Sequence, residues 1–447
     1  VVGVTDLRKN TGELACAQAA LLGKLQKKTA VLGVIGLGYV GLPLAVEKAR
    51  AGYKVIGIDI QQHKVDKVNA GINYIGDVLD EALSAIVGQG LLTATTDFDA
   101  LNEVDAISIA VPTPLDKYKQ PDLSYVVATS KEVAKRLHSG MLVVLESTTY
   151  PGTTEEILLP LFEATGLQCG RDYFLAFSPE RVDPGNKFYK TKNTPKVVGG
   201  VTPACTTIAA TLYRNVLEGD VFEASSPKVA EMEKIFENTF RNINIALANE
   251  MALLCRRMGI DVWEVIAAAS TKPYGFMPFY PGPGVGGHCI PIDPFYLTWK
   301  AREYEMHTKL IETASQINDY MPEYVVERIT EALNERGMAV KGAHILLLGV
   351  AYKRDIDDWR ESPALRIMHT LEKKGALVEY HDEHVPTLQW DLGTKCSISD
   401  PEWQAYDLVM IHTDHSSLDY GLVAQQSRLV FDVRNAVKNT HANVVRL

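Results

Sequence analysis

Apolar residues fall into two alternating kinds of run. Val31–Ile35 is a short continuous stretch closed by glycines, followed by helical periodicity to about Ala51 and a second short stretch at Tyr53–Asp59. That is the pattern of a βαβ unit. Similar runs stand at Ala106–Val111, Met141–Leu145, Tyr173–Phe177 and Lys196–Val198, with helical patterns between most of them. Such alternation predicts a doubly wound, mainly parallel sheet. Ser226-Pro227 then opens a long helix that Gly259 ends, with Ser as N-cap and Pro in the first turn. Val229, Met232, Phe236, Phe240, Ile243, Leu247, Met251 and Leu254 share one face of it, which is core or a subunit interface. Lys234, Asn238, Asn242 and Asn249 share another, read as lining a cleft because a solvated face more usually carries lysines and glutamates. A helical stretch around Lys309–Gly337 precedes a second α/β unit. Its strands are expected at His344–Val350, Leu377–Tyr380, Asp407–Ile411 and Leu429–Val433, with a capped helix from Ser362-Pro363 to Gly375. The fold class expected is α/β, with two Rossmann-like doubly wound domains joined by a central helical domain containing the long helix.

At 447 residues the chain exceeds one ordinary core, which agrees with several domains. A net charge of −10 without a long basic run argues against nucleic acid as a partner. No apolar run approaches the ~20 residues of a membrane span. Neither is there a basic segment followed by an apolar core of the secretory kind. The six cysteines lie far apart with no C-x-x-C pair, so neither a disulfide framework nor a zinc site is expected, and a reducing cytoplasm is the simplest compartment. His381-Asp-Glu-His384 fits no metal-ligand spacing and is read as a polar strand end, so no metal is expected. Cys255 reads as a small apolar residue on a helix face.

The first strand runs into Gly36-Leu-Gly38-Tyr39-Val40-Gly41, with Asp59 closing the second. In a βαβ unit this G-x-G-x-x-G pattern is the dinucleotide fingerprint. Gly36 allows the tight turn, Gly38 lets a pyrophosphate approach the backbone, and Gly41 permits close helix–strand packing. Asp59 suits ribose hydroxyls and repels a 2′-phosphate, and Gln61 and Gln62 offer no compensating charge, so NAD is expected over NADP. Thr113 and Thr148 follow two strands at the end where such sheets bind ligands, and are either site residues or ordinary capping threonines. The second α/β unit has Gly349 without the fingerprint. Lys353, Arg354 and Arg360 there form either a nucleotide contact or a solvated basic loop.

Pro281-Gly-Pro-Gly-Val-Gly-Gly-His-Cys-Ile-Pro-Ile-Asp293 is too rich in glycine and proline for helix or central strand. A shaped loop whose backbone comes close to something is expected. Its thiol, Cys289, is better explained as a nucleophile than as packing. A hydride acceptor together with a loop thiol suggests oxidation beyond the aldehyde, through a thiohemiacetal and a thioester. The thiol, with an ordinary pKa of about 8.5, needs activation, for which Lys234 or the Gly286-Gly287 amides are suited. Lys234 and Asn238 suit the developing oxyanion.

Read in order, Gly36–Gly41, Val111-Pro-Thr-Pro114, Glu146-Ser-Thr148, Phe177-Ser-Pro-Glu-Arg181, Glu231 to Asn238, Gly286-Gly-His-Cys289 with Asp293, and Tyr352-Lys-Arg-Asp355 through Arg360-Glu-Ser362 resemble the nucleotide-sugar dehydrogenases of the UDP-glucose/GDP-mannose dehydrogenase group. The resemblance covers nearly everything from about Thr29. It implies an N-terminal helical extension over residues 1–28 and an NAD-binding domain over 29–222. A central dimerisation domain with the cysteine loop would span 223–335, and a UDP-sugar-binding domain 336–447. It implies Cys289 as nucleophile, Lys234 and Asn238 at the oxyanion, Asp293 and Thr148 on a water or proton path, and Glu180 in the hydrolytic step. Substrate contacts from Glu180, Arg181, Lys234, Asn238, Gly286 and Lys353 are implied, with Arg360 near the cofactor. A homodimer or higher homo-oligomer is implied too. His288 and Ile292 stand where UDP-glucose enzymes typically carry Ser and Lys. The surrounding wording resembles the branch acting on UDP-N-acetylhexosamines, UDP-N-acetylglucosamine above all. UDP-glucose, UDP-N-acetylmannosamine and UDP-N-acetylgalactosamine are the alternative substrates, and a catalytically silent nucleotide-sugar binding protein is the rival of another class.

Overall fold

A computed structural model of the chain describes residues 17–447 apart from 77, 184, 391, 392 and 440, and the Trp390 side chain. Of the helical extension implied over residues 1–28, residues 1–16 lie outside the described residues, and helix is present over 17–26. The chain divides into two compact units, residues 1–236 and 237–447.

The first unit is built on eight strands: β1 (Val31–Ile35), β2 (Lys54–Ile58), β3 (Leu92–Thr95), β4 (Ala106–Ile109), β5 (Leu142–Leu145), β6 (Phe174–Phe177), β7 (Lys196–Gly200) and β8 (Val221–Ala224). They lie in the order β3-β2-β1-β4-β5-β6-β7-β8, and only β6 and β7 pair antiparallel. Helices cover both faces, so the central strands are buried throughout and read as apolar runs, interrupted in β4 by Ser108. The sequence pattern shows neither β3 nor β8. Both are edge strands with exposed positions, and an edge strand needs no continuous apolar run. Strand order reverses between β1 and β4, which places a ligand crevice at their carboxyl ends.

The helix Pro227–Met258 begins in the first unit and continues into the second, as its capping signals predict. Its apolar face is not core: Val229, Met232, Phe240, Leu247 and Leu254 are exposed, and Phe236 keeps 66% of its surface. The cleft expected along its asparagine face is corrected at two positions. Asn242 donates to Ser315 Oγ at 3.2 Å, and Asn249 donates to Asn318 Oδ1 at 2.9 Å while accepting the Gly282 amide at 2.9 Å. Asn318 returns two bonds to Asn242, so these amides are buried braces to the helix Lys309–Asn334. A buried amide needs partners, and a facing asparagine supplies both a donor and an acceptor.

The second sheet comprises β9 (His344–Leu348), β10 (Leu377–His381), β13 (Leu408–Ile411), β14 (Val430–Asp432) and β15 (Val444–Arg446), all parallel, in the order β10-β9-β13-β14-β15. A hairpin of β11 (Thr387–Trp390) and β12 (Gly393–Cys396) lies between β10 and β13 in the chain. β11, β12 and the three-residue edge strand β15 have no counterpart in the sequence pattern. Among the described residues no helix is long and apolar enough to cross a membrane.

His412, at the end of β13, is fully buried, and burial together with the Arg434 guanidinium pushes its pKa down to about 3. The unfolded chain takes up this proton near pH 6.5, before the folded chain does. Stability is therefore unaffected above pH 6.5 and falls as the pH drops towards 3. Between pH 6.5 and 4.5 the expected loss is about 2–3 kcal/mol. Urea unfolding of parent and His412→Gln across that range checks this, since the variant should show a flatter dependence.

Candidate active site

In the first unit each fingerprint glycine answers a separate steric demand. Gly36 has φ +92°, and a Cβ on it would stand 2.4 Å from the Ala110 carbonyl oxygen. A Cβ on Gly41 would stand 1.8 Å from the Gly36 carbonyl oxygen, where the helix Gly41–Arg50 crosses β1. Gly38 meets no atom within 4 Å, which leaves open space where a pyrophosphate would approach. Tyr39 is exposed, and Val40 occupies the N-cap without a side-chain cap bond. Asp59 accepts the Leu37 and Gln61 amides, both at 2.9 Å, which fixes its carboxylate at the end of β2. One expectation is corrected here. Lys64 lies 3.4 Å from Asp59, so a cation does stand near the ribose-side carboxylate, brought there by the first turn of the next helix.

Two further loops follow β4 and β5. Ser147 Oγ donates to the Val111 carbonyl at 2.7 Å, tying the Thr148 loop to the Thr113 loop. Glu231 on the long helix accepts the Gly152 amide at 2.5 Å and the Thr154 amide at 2.9 Å, so it anchors the turn just past Thr148. Burial pushes its carboxyl up to about 7 despite those donors. After β6, Glu180 Oε1 accepts the Arg181 and Val182 amides, both at 2.8 Å. Arg181 pairs with Glu233 at 3.3 Å, and Lys234 is buried on the following position of the same helix.

Sequence reasoning missed the residues behind these loops. Lys196 donates to Glu146 Oε2 at 2.7 Å and to the Pro179 carbonyl at 3.0 Å. Glu146 also accepts Ser108 Oγ at 2.9 Å and the Tyr213 hydroxyl, while Lys48 reaches Ser108 at 2.7 Å. A lysine that opens a strand reads in sequence as an edge residue, and its partners lie dozens of positions away.

In the second unit the cysteine loop is shaped as expected. What its backbone approaches is Tyr352: a Cβ on Gly286 would stand 2.7 Å from Tyr352 Cβ, and one on Gly287, at φ +86°, 2.9 Å from the ring. Cys289 is exposed, and its carbonyl accepts the Ile292 and Asp293 amides at 3.1 and 2.8 Å, starting the helix Asp293–Ala301. Asp293 is buried and accepts from Asn238 Nδ2 at 2.5 Å. The structure therefore brings Asn238, Asp293 and the loop of Cys289 together.

His288, without a role in the sequence reading, lies 3.4 Å from Asp358. Arg360 grips the same carboxylate with two bonds of 2.9 Å, and against the effect of burial the hydrogen bonds from Arg360 and His288 and the charge of Arg360 hold the Asp358 carboxyl well below the usual range. Arg354 pairs with Asp414. Arg354 and Arg360 of this loop are thus each paired with a carboxylate, while their side chains keep 54% and 42% of their surface. His384 lies beside His415 and Asp355, but His415 Nε2 faces Asp382 at 3.1 Å and its Nδ1 accepts the Asp355 amide at 3.0 Å, which makes it a brace between loops.

A fingerprint turn with open space over Gly38 and a fixed carboxylate at the end of β2 fits a dinucleotide, and with it the class of NAD-dependent oxidoreductases. Three domains of the UDP-glucose/GDP-mannose dehydrogenase family match in order: the NAD binding domain over residues 30–217, the central domain over 228–320 and the UDP binding domain over 346–439. The chain is 38% identical over 388 residues to UDP-N-acetyl-D-glucosamine 6-dehydrogenase of Pseudomonas aeruginosa, covering 86% of this chain and 90% of that protein. It is 38% identical over 416 residues to NDP-N-acetyl-D-galactosaminuronic acid dehydrogenase of Ralstonia solanacearum, covering 90% and 95%. The solved UDP-D-ManNAc dehydrogenase of Pyrococcus horikoshii superposes with a TM-score of 0.85 at 35% identity, covering 93% and 98%. The chain belongs to the UDP-glucose/GDP-mannose dehydrogenase family, and its cofactor is NAD.

Proposed function

We propose that the protein oxidises the C6 hydroxyl of a UDP-N-acetylhexosamine, N-acetylglucosamine in first place, to the uronic acid in a four-electron reaction. The observation that carries this reading is the exposed Cys289 on a glycine loop, with Asp293 and Asn238 bonded beside it. Relatives acting on three different N-acetylated sugars support an acetamido group. The choice of N-acetylglucosamine rests on the wording of the cysteine loop. Ile292, apolar where UDP-glucose enzymes typically carry a lysine, suits the acetamido methyl that all three N-acetylated sugars share.

NAD supplies the hydride acceptor for both oxidations. In this reading the Cys289 thiolate adds to the aldehyde carbon, and Lys234 and Asn238 stabilise the oxyanion of the resulting thiohemiacetal. Oxidation of that adduct leaves a thioester. Glu180 then serves the attack of water, with Asp293 and Thr148 on the proton path. Arg181, Gly286 and Lys353 contact the substrate, and Arg360 lies on the cofactor side. Two NADH per sugar and a uronic acid product are expected, whereas a stable aldehyde with one NADH would end the four-electron reading. Steady-state kinetics on the four UDP-sugars tests the specificity. A methyl-sized contact should favour N-acetylated sugars over UDP-glucose by roughly 10- to 200-fold in kcat/KM. A higher kcat/KM for UDP-glucose than for the other three refutes the assignment.

The domain division is proposed as 1–28, 29–222, 223–335 and 336–447, with the central part forming a homodimer. The exposed apolar stripe of the long helix supports this, because large contiguous apolar faces mark association sites. Phe236→Asp and Leu247→Asp together should halve the sedimenting mass. An unchanged mass places the interface elsewhere.

A further inference from the structure

The turn Ser178–Arg181 carries Glu180, and one buried charge reaches it from behind. Lys196, at the start of β7, keeps only 4% of its surface. Besides Glu146 at 2.7 Å it touches the Pro179 carbonyl at 3.0 Å and Glu180 Oε2 at 3.8 Å. Two of the three oxygen-bearing groups it approaches therefore belong to the turn. The other oxygen of Glu180 is taken by the Arg181 and Val182 amides. The carboxylate is thereby held from both sides.

Glu146 faces two lysines, directly at Lys196 and through Ser108 at Lys48, and these divide the charge unequally. Burial and Lys196 push Lys48 down to about 8, while Glu146, against the effect of burial, holds Lys196 above the usual lysine range. Lys196 is thus the lasting cation of the network, and it is the one that meets the turn. Its buried ammonium has three donors to satisfy, and one of them is met by the Pro179 carbonyl, which ties the cation to the turn.

We infer that Lys196 is a positioning residue for Glu180 and sets the hydrolytic half of the reaction. The inference rests on the proposed role of Glu180 in releasing the product. In that step a water oxygen bonds to the acyl carbon, the carbon–sulfur bond breaks, and the sulfur leaves as the Cys289 thiolate. The two water protons go to solvent through the proton path, and no oxidant is required. A displaced Glu180 should slow this step and spare both hydride transfers.

Lys196→Met alone strands a buried glutamate, so the test uses Glu146→Gln/Lys196→Met. There Gln keeps an acceptor for Ser108 and Tyr213, and removing the carboxylate together with the lysine leaves neither charge unpaired at this place. Enzyme with excess NAD is mixed rapidly with the best UDP-sugar of the panel and NADH is followed. The expected trace is a burst approaching two NADH per site at the parental rate, then a steady rate about 100-fold below parent. Acid quenching should trap an acyl adduct on the Cys289 peptide. A parental steady rate overturns the inference, and so does a burst slowed in the same proportion as turnover, which marks a merely structural role. Should the double variant not fold, Lys196→Gln is read by the same criteria. Glu180→Gln runs in parallel and should stall after the same burst. Normal turnover by Glu180→Gln removes the underlying reading itself, whereas a stalled Glu180→Gln beside a normal double variant removes the role of Lys196 alone.

Discussion

Cys289→Ala is expected to abolish uronic acid formation while NAD still binds with close to parental affinity. The side chain is exposed on its loop, so truncation opens no core cavity. The helix that follows starts from the Cys289 carbonyl, which accepts the Ile292 and Asp293 amides, and alanine keeps that carbonyl. The fold of the loop should therefore survive. Without a thiolate no thiohemiacetal forms, and the second oxidation has no oxyanion from which to expel hydride. Acid formation should fall by about six orders of magnitude, as when a serine nucleophile is removed from a protease. Calorimetric NAD titration beside product analysis checks both halves. Acid formation near the parental rate by a folded variant would show that the thiol is structural.

Gly41→Ala should cost most of the NAD affinity and lower the melting temperature, whereas Gly38→Ala should cost affinity alone. A Cβ on residue 41 meets the Gly36 carbonyl oxygen at 1.8 Å, and Gly36 is held in place by its amide bond to the Ile58 carbonyl at 2.8 Å. The clash lies between backbones and has no side chain to absorb it. At residue 38 the added methyl meets nothing in the protein and fills the space left for the pyrophosphate. NAD affinity is expected to fall by about 100-fold or more in Gly41→Ala and about 10- to 100-fold in Gly38→Ala, read by titration next to thermal unfolding. Parental NAD affinity in Gly38→Ala would mean that the pyrophosphate does not approach there.

The sequence by itself determined the features set by neighbours along the chain. The alternation of strands and helices, the fingerprint of Gly36, Gly38 and Gly41, the capped helix Pro227–Met258 and the shaped loop around Cys289 all follow from short-range periodicity and backbone chemistry. A buried strand must be apolar, a tight turn needs glycine, and a helix end needs a cap, so each leaves a local mark. Edge strands leave weaker marks, because half-exposed residues such as those of Leu92–Thr95 and Val221–Ala224 suit several conformations. The long helix shows both cases: its apolar spacing was legible, but only packing decided that this face stays exposed while Asn242 and Asn249 bond inward to Ser315 and Asn318. The same holds for Lys64 beside Asp59, His288 beside Asp358, and Lys196 between Glu146 and the Glu180 turn. A charged or polar side chain fits many surroundings in sequence. Its partner is chosen only when the fold removes both from water and each must find a hydrogen bond or an opposite charge.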